Sequence, residues 1–128
     1  MLLLDSCVLL WIAEDRTRLS RAALDALGDD ALPRYVSAVS AIELGIQHRR
    51  GRITLPSEPE KWFADVCDSY GITPIPVTWQ IAARSSQLPL IHLDPLDRLL
   101  IATATVAGLR IVTPDRIIPR YPDVNVVW

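Results

Sequence analysis

MLLLDSCVLLWIAED, residues 1–15, changes character at its fifth residue. A short apolar run bounded by a polar residue suits a buried strand, and CVLLWIAED continues as a helical run. Asp5 stands at the joint between them. The unit of strand, carboxylate and helix recurs along the chain. RYVS (34–37) reads as a second strand and AVSAIELGIQHRRG (38–51) as a long helix closed by Gly51. TPIPV (73–77) reads as a strand whose Pro74 and Pro76 cannot donate to a ladder, which makes it short or places it at a sheet edge. VTWQIAARSSQL (77–88) follows as a helix. LRIVT (109–113) and VNVVW (124–128) are the last strands, separated by the turn-rich PDRIIPRYPD.

Two further helices fill the gaps: SRAALDALG, with Ser20 as cap and Gly28 as stop, and a stretch from about Pro59 to Tyr70 ending at Gly71. HLDPLDRLLIATA (92–104) opens another, apolar all round from Leu99 to Leu109 apart from its threonines. Strands alternating with helices predict an α/β domain around a mostly parallel sheet.

Half of the 128 residues are hydrophobic, which fits one compact domain spanning residues 1–128. No apolar run approaches the roughly 20 residues that cross a bilayer, and the first residues lack the basic start and cleavage site of a signal peptide. The expectation is a cytoplasmic protein with no membrane contact. Cys7 and Cys67 have no CxxC or His-rich neighbourhood, so they read as small buried apolar residues. The net charge of −2, from 13 Lys+Arg against 15 Asp+Glu, is not the basic footprint of a typical nucleic-acid binder. Lys61 is the only lysine, however, and the fork of arginine suits bidentate phosphate contact. Divalent metal on four carboxylates would turn the remaining balance positive.

In a parallel sheet the strand-to-helix turns share one edge, where ligands bind. Asp5 follows the first strand, Glu43 lies in the first turns after the second, Asp115 follows RIVTP, and Asp94 and Asp97 open the HLDPLDR helix. Each acid has a capping alternative. Asp5 suits a helix cap; Ser40 with Glu43 matches a capping box; Asp115 suits a turn; and Asp94, Pro95 and Asp97 suit N-cap, N1 and N3. Caps do not require a carboxylate each time, so four segments delivering one to the same edge favours a shared site. Two carboxylates about 5 Å apart repel by roughly 3 kcal/mol at an effective dielectric near 20, more than a helix N-terminus offsets. A divalent cation offsets far more. Oxygen ligands select Mg²⁺ or Mn²⁺ over zinc, and His92, without a partner histidine, reads as a loop residue outside the ligand set. His48 reads as exposed beside Arg49 and Arg50.

Taken in order, LLLDSCVLLW, YVSAVSAIELGIQHRRGRI, HLDPLDRLLIATA and IVTPDR resemble the PIN-domain ribonucleases, and more narrowly the VapC-type toxins of toxin–antitoxin pairs. The resemblance covers essentially the whole chain. It implies a PIN-like three-layer α/β/α sandwich, Mg²⁺- or Mn²⁺-dependent cleavage of RNA, a homodimer, and inhibition by an antitoxin that covers the acidic pocket. Position by position, the four acids of the family fall on Asp5, Glu43, Asp97 and Asp115. Asp94 matches an additional acid of the DPxDR-bearing branch, as a helper or as a helix cap. Ser6 stands where a threonine is frequent, its hydroxyl suited to orienting Asp5, and Thr113 is suited to the same service for Asp115. Cys7 departs from the histidine common at that place.

The expected chemistry is metal-assisted phosphodiester hydrolysis, with Asp5, Glu43, Asp97 and Asp115 as catalytic metal ligands. Arg98 and Arg116, each next to one of the acids, are candidates for RNA phosphate contact. For Arg49, Arg50 and Arg52 a solvated helix end is an equal alternative. A phosphoacceptor domain would place a lysine near its last strand, and an aspartyl phosphatase would carry DxD where this chain has DSC. A non-catalytic module whose acidic pocket captures an arginine stays open; the absence of metal-dependent turnover would distinguish it.

Overall fold

The computed structural model describes residues 1–128, and its centre is a strand of three leucines with no solvent exposure, β1 (Leu2–Leu4). The alternation of a strand sends Leu2 and Leu4 to one face and Leu3 to the other. Leu2 and Leu4 join an apolar cluster with α1 (Ser6–Glu14), α2 (Arg21–Leu27), α3 (Ala38–Arg49) and α4 (Pro59–Tyr70). Leu3 joins a second cluster dominated by α6 (Pro95–Ala107). Helix α5 (Trp79–Ser86) packs against α6. The sheet is therefore the middle layer of an α/β/α sandwich, and truncating Leu3 to alanine would cost about 2–5 kcal/mol.

The sheet has five strands, all parallel, in the order β3-β2-β1-β4-β5, where β2 is Arg34–Ser37, β3 Ile72–Ile75, β4 Arg110–Val112 and β5 Val126–Val127. The expected TPIPV strand does lie at an edge, where Pro74 breaks no central ladder. From β1 the chain adds β2 and β3 on one side, then crosses to place β4 and β5 on the other. The strand order thus reverses between β1 and β4, the place where a doubly wound sheet leaves a crevice at its carboxyl end. Leu4 pairs in register with Val36 and with Val112, so the residues leaving β1, β2 and β4 emerge side by side.

Helix starts follow from local chemistry. Asp94 caps α6 by accepting from the Leu96 N–H at 2.9 Å, Pro95 occupies the first turn, and Asp97 follows in it. At the other end Gly108 has φ of 67°, a left-handed conformation that glycine adopts without penalty, and the Leu109 N–H closes on the Ala104 carbonyl at 2.9 Å.

Several details differ from the sequence-based expectations. The Ser40–Glu43 capping box is absent: α3 begins earlier and is capped by Ser37, which accepts from the Val39 N–H. Ser40 and Glu43 are thereby freed to face other elements. Helix α6 is buried from Leu100 to Ala104 but exposes Val106 and Ala107 in its last turn. His48 is half-buried rather than exposed. Cys67 is buried and Cys7 half-buried, both as free thiols. No helix is long and apolar enough to cross a membrane.

Candidate active site

Asp5 leaves β1 at the crevice and is 8% exposed. Its Oδ1 accepts from the Ser6 N–H at 2.7 Å and its Oδ2 from the Thr113 hydroxyl at 2.6 Å, so both oxygens are fixed by the strand ends that flank the crevice. The Ser6 hydroxyl lies 2.8 Å from Glu43 Oε2 and 3.1 Å from Ser40 Oγ, which anchors Glu43 of α3 beside Asp5. Asp97 reaches the same place from the first turn of α6, and Asp5, Glu43 and Asp97 each present a carboxylate oxygen within 4.8 Å of the others.

Asp115 extends the cluster on the β4 side. Its Oδ1 accepts from the N–H groups of Ile117 and Ile118 at 2.6 and 3.1 Å, and its own N–H donates to Thr113 Oγ1 at 3.0 Å. Thr113 therefore serves both acids, since its hydroxyl donates to Asp5 while accepting from Asp115. His92 Nε2 sits 3.1 Å from Asp115 Oδ2 and 3.2 Å from Asp97 Oδ2, joining the two carboxylates.

The charges are poorly compensated. No lysine or arginine forms an ion pair with any of the four acids. Burial, then repulsion from Asp5, pushes the Asp97 carboxyl up to about 7, against a partial opposing pull from His92. Burial is also the largest cause that raises Asp5 and Glu43, outweighing the hydroxyl bonds they receive. Asp115 moves the other way: burial raises it, but the bonds from His92, Ile117 and Ile118 together hold its carboxyl below the usual value.

An oxygen-only triplet that repels itself and lacks a cationic side chain fits a hard divalent ion. His92 is less suited to ligation. The Asp94 N–H donates to its Nδ1 at 3.3 Å, so the neutral ring carries its hydrogen on Nε2, which makes it a hydrogen-bond donor to Asp115, with Asp97 close by at 3.2 Å.

The sequence matches the PIN domain over residues 2–124. The chain belongs to the PIN-domain family. It is 36% identical to Ribonuclease VapC22 of Mycobacterium tuberculosis, over 98% of this chain and 97% of that one. Among solved structures, VapBC2 from Rickettsia felis bound to a promoter DNA fragment has a TM-score of 0.71 at 12% identity, covering 98% of this chain and 96% of its own. DNA-bound VapBC from Salmonella typhimurium has a TM-score of 0.68 at 18% identity, covering 98% and 95%. These two likenesses concern the fold.

Within this PIN domain Asp5, Glu43, Asp97 and Asp115 meet in one cluster, but the hydroxyls are assigned differently from expectation: the Ser6 hydroxyl bonds Glu43 while only its N–H reaches Asp5, and the Thr113 hydroxyl donates to Asp5, accepting only the backbone N–H of Asp115. Asp94 caps α6 and lines a cleft next to Glu43. Arg116 is exposed and lines a cleft with Asp115. Arg98 requires a correction. It is 8% exposed; its Nη1 donates to the carbonyls of Pro89 and His92 at 2.9 and 3.2 Å, and its Nη2 to those of Ser85 and Leu88 at 2.9 and 2.8 Å. The guanidinium is consumed in fastening the loop that carries His92, and is not free for phosphate.

His92 is the residue of the cluster that spacing alone missed. Its signal was its place two residues before the Asp94 cap, where an imidazole on the incoming loop meets the carboxylates of the first helical turn. The Tyr121 hydroxyl holds that loop as well, accepting from the His92 N–H at 2.9 Å and donating to the Pro89 carbonyl at 2.8 Å.

Proposed function

We propose that this chain is a divalent-metal-dependent endoribonuclease that hydrolyses RNA phosphodiester bonds and acts as the toxin of a toxin–antitoxin pair. The observation that carries the reading is the convergence of Asp5, Glu43 and Asp97, three carboxylates within 4.8 Å that have no lysine or arginine partner. Asp5, Glu43 and Asp97 hold the ion, with Asp115 completing the site; Mg²⁺ or Mn²⁺ suits the oxygen donors. When bound, such an ion supplies Lewis-acid activation of water and of the phosphodiester.

The protein's own groups fix the geometry beforehand. Ser6 and Thr113 orient Asp5, and Ser6 also orients Glu43. His92 lies within 3.2 Å of both Asp97 and Asp115, and its bond to Asp115, with those from the Ile117 and Ile118 N–H groups, holds the Asp115 carboxyl below its usual value. Arg116, exposed beside Asp115, takes a backbone phosphate of the RNA.

Association belongs to the same reading. Ribonuclease VapC22 is named as a nuclease, and the solved relatives are VapBC complexes, which supports an antitoxin partner here. A homodimer and cytoplasmic residence complete the proposal. The deciding experiment incubates the protein and its Asp97→Asn variant with a panel of cellular RNAs, with Mn²⁺ and then with chelator. Cleavage by the unaltered chain with Mn²⁺ alone is expected; equal cleavage by the variant, or cleavage in chelator, would overturn the reading.

A further inference from the structure

Two clefts flank the acidic cluster, and the strand order fixes their sides. Glu43 follows β2, Asp5 follows β1 and Asp115 follows β4, while Trp128 follows β5. These strands are neighbours in the order β2-β1-β4-β5, so their carboxyl ends cross about 14 Å at the usual strand spacing. Beyond Glu43 lies a cleft of about 230 Å³ shared by Glu43, Asp94, Arg50 and Arg52. Beyond Asp115 lies a cleft of about 620 Å³ shared by Asp115, Arg116 and Trp128. The three arginines are exposed, and none has a carboxylate partner.

Trp128 has the attributes of a stacking platform. It is 39% exposed at the cleft, and it packs at a 51° tilt against Trp11 with ring centroids 6.1 Å apart, while the Arg18 guanidinium lies over Trp11 at 4.3 Å. The indole is thus held against Trp11 while part of it stays open to solvent, next to an unpaired cation and to an acid of the cluster. A cation for phosphate beside an aromatic face for a base is the combination that binds single-stranded nucleic acid.

We propose that a single RNA strand crosses the acidic cluster along this sheet edge, from the Arg50–Arg52 cleft to the Arg116–Trp128 cleft, and stacks one base on the Trp128 indole. This rests on RNA being the substrate. The negative cluster then lies under one phosphate while cations hold the phosphates on either side, which reconciles an acidic overall charge with a polyanionic ligand.

The test measures binding of a short single-stranded RNA by fluorescence anisotropy in the Asp97→Asn background with Mg²⁺, so that it does not depend on cleavage. Trp128→Ala is expected to weaken binding about 10- to 100-fold, and Trp128→Phe to retain most of it. An RNA with one abasic nucleotide, moved along the strand, should bind weakly at one position only, and Trp128→Ala should abolish that position's effect. Arg50→Ala and Arg52→Ala should each reduce the slope of log affinity against log salt by about 0.7, whereas Arg21→Ala, on α2 and paired with Asp25, should leave it unchanged. Unchanged affinity in Trp128→Ala, or an abasic effect that persists in it, would overturn the proposal. The abasic series on a chain that keeps Trp128 guards against misfolding of the alanine variant, because equal binding at every position is itself a refutation. Failure of the nuclease reading shows separately, as an unaltered chain that cuts no RNA.

Discussion

Thr113 Oγ1 donates to Asp5 Oδ2 at 2.6 Å, a bond between residues 108 positions apart that ties the carboxyl ends of the two strands bordering the crevice. Asp5 is a buried acid raised first by desolvation, so this hydroxyl is one of the few groups that make its charge tolerable. Replacing it with a methyl group leaves an acid oxygen unpaired in the same volume.

Thr113→Val is therefore expected to destabilise the protein by about 1.5–3 kcal/mol and to weaken divalent-metal affinity, whereas Thr113→Ser should restore most of both. Urea unfolding and metal titration measure the two effects. A valine variant as stable as the parent would show that Asp5 finds another donor.

The fold was readable from the chain because its units are punctuated. RYVS coincides with β2, and Pro59, Tyr70 and Gly71 bound α4 as expected. Asp5, Glu43 and Asp115 were readable because parallel topology sends every strand end to one edge, while Asp97 reaches that edge from the start of α6, which follows α5 and a loop rather than a strand. Two features depend on three-dimensional contacts that spacing does not encode. Arg98 directly follows Asp97 in the sequence yet turns its guanidinium onto four loop carbonyls, while His92 lacks a histidine partner yet lies between two carboxylates. The Ser40 capping box failed for a local reason: Ser37, one turn earlier, offered an equally good cap.

Arg98 as a loop fastener predicts a stability effect without an RNA signature. Arg98→Lys keeps the charge but cannot span four carbonyls, so unfolding should cost at least about 2 kcal/mol less, and hydrogen exchange in residues 85–92 should quicken. The salt slope of RNA binding should stay that of the parent. A reduced slope with unchanged stability would return Arg98 to the role of a phosphate contact.

Stability against pH follows from the shifted acids. Between its ordinary 3.8 and about 7 the Asp97 carboxyl is protonated in the folded state and ionised in the unfolded one. The folded state then binds more protons, so metal-free stability falls as pH rises through that window. Asp5 and Glu43, also raised, act in the same sense; Asp115, held low, acts oppositely, giving stability that is lost as pH falls through its folded value. In chelator the urea midpoint should drop from pH 4 to 7, and Mn²⁺ should restore it more at pH 8 than at pH 5, where protons compete for the ligands. A chelated midpoint that rises across this range would mean that the repulsion is compensated by some other group.

Asp97→Asn separates function from stability at the same residue. Asparagine preserves the shape but removes the charge that faces Asp5, Glu43 and Asp94. Cleavage with Mn²⁺ should fall by at least about 100-fold, since one of the three clustered oxygens loses its charge. Without metal the variant should be more stable than the parent at pH 8, because the repulsion that the ion would have relieved is gone, and the two should converge near pH 4, where Asp97 carries a proton in any case. Added Mn²⁺ should reverse the ranking by stabilising only the parent appreciably. A variant that lost activity and metal-free stability together would indicate that Asp97 holds the fold by its charge, and the acidic cluster would then be a structural network rather than a strained metal site.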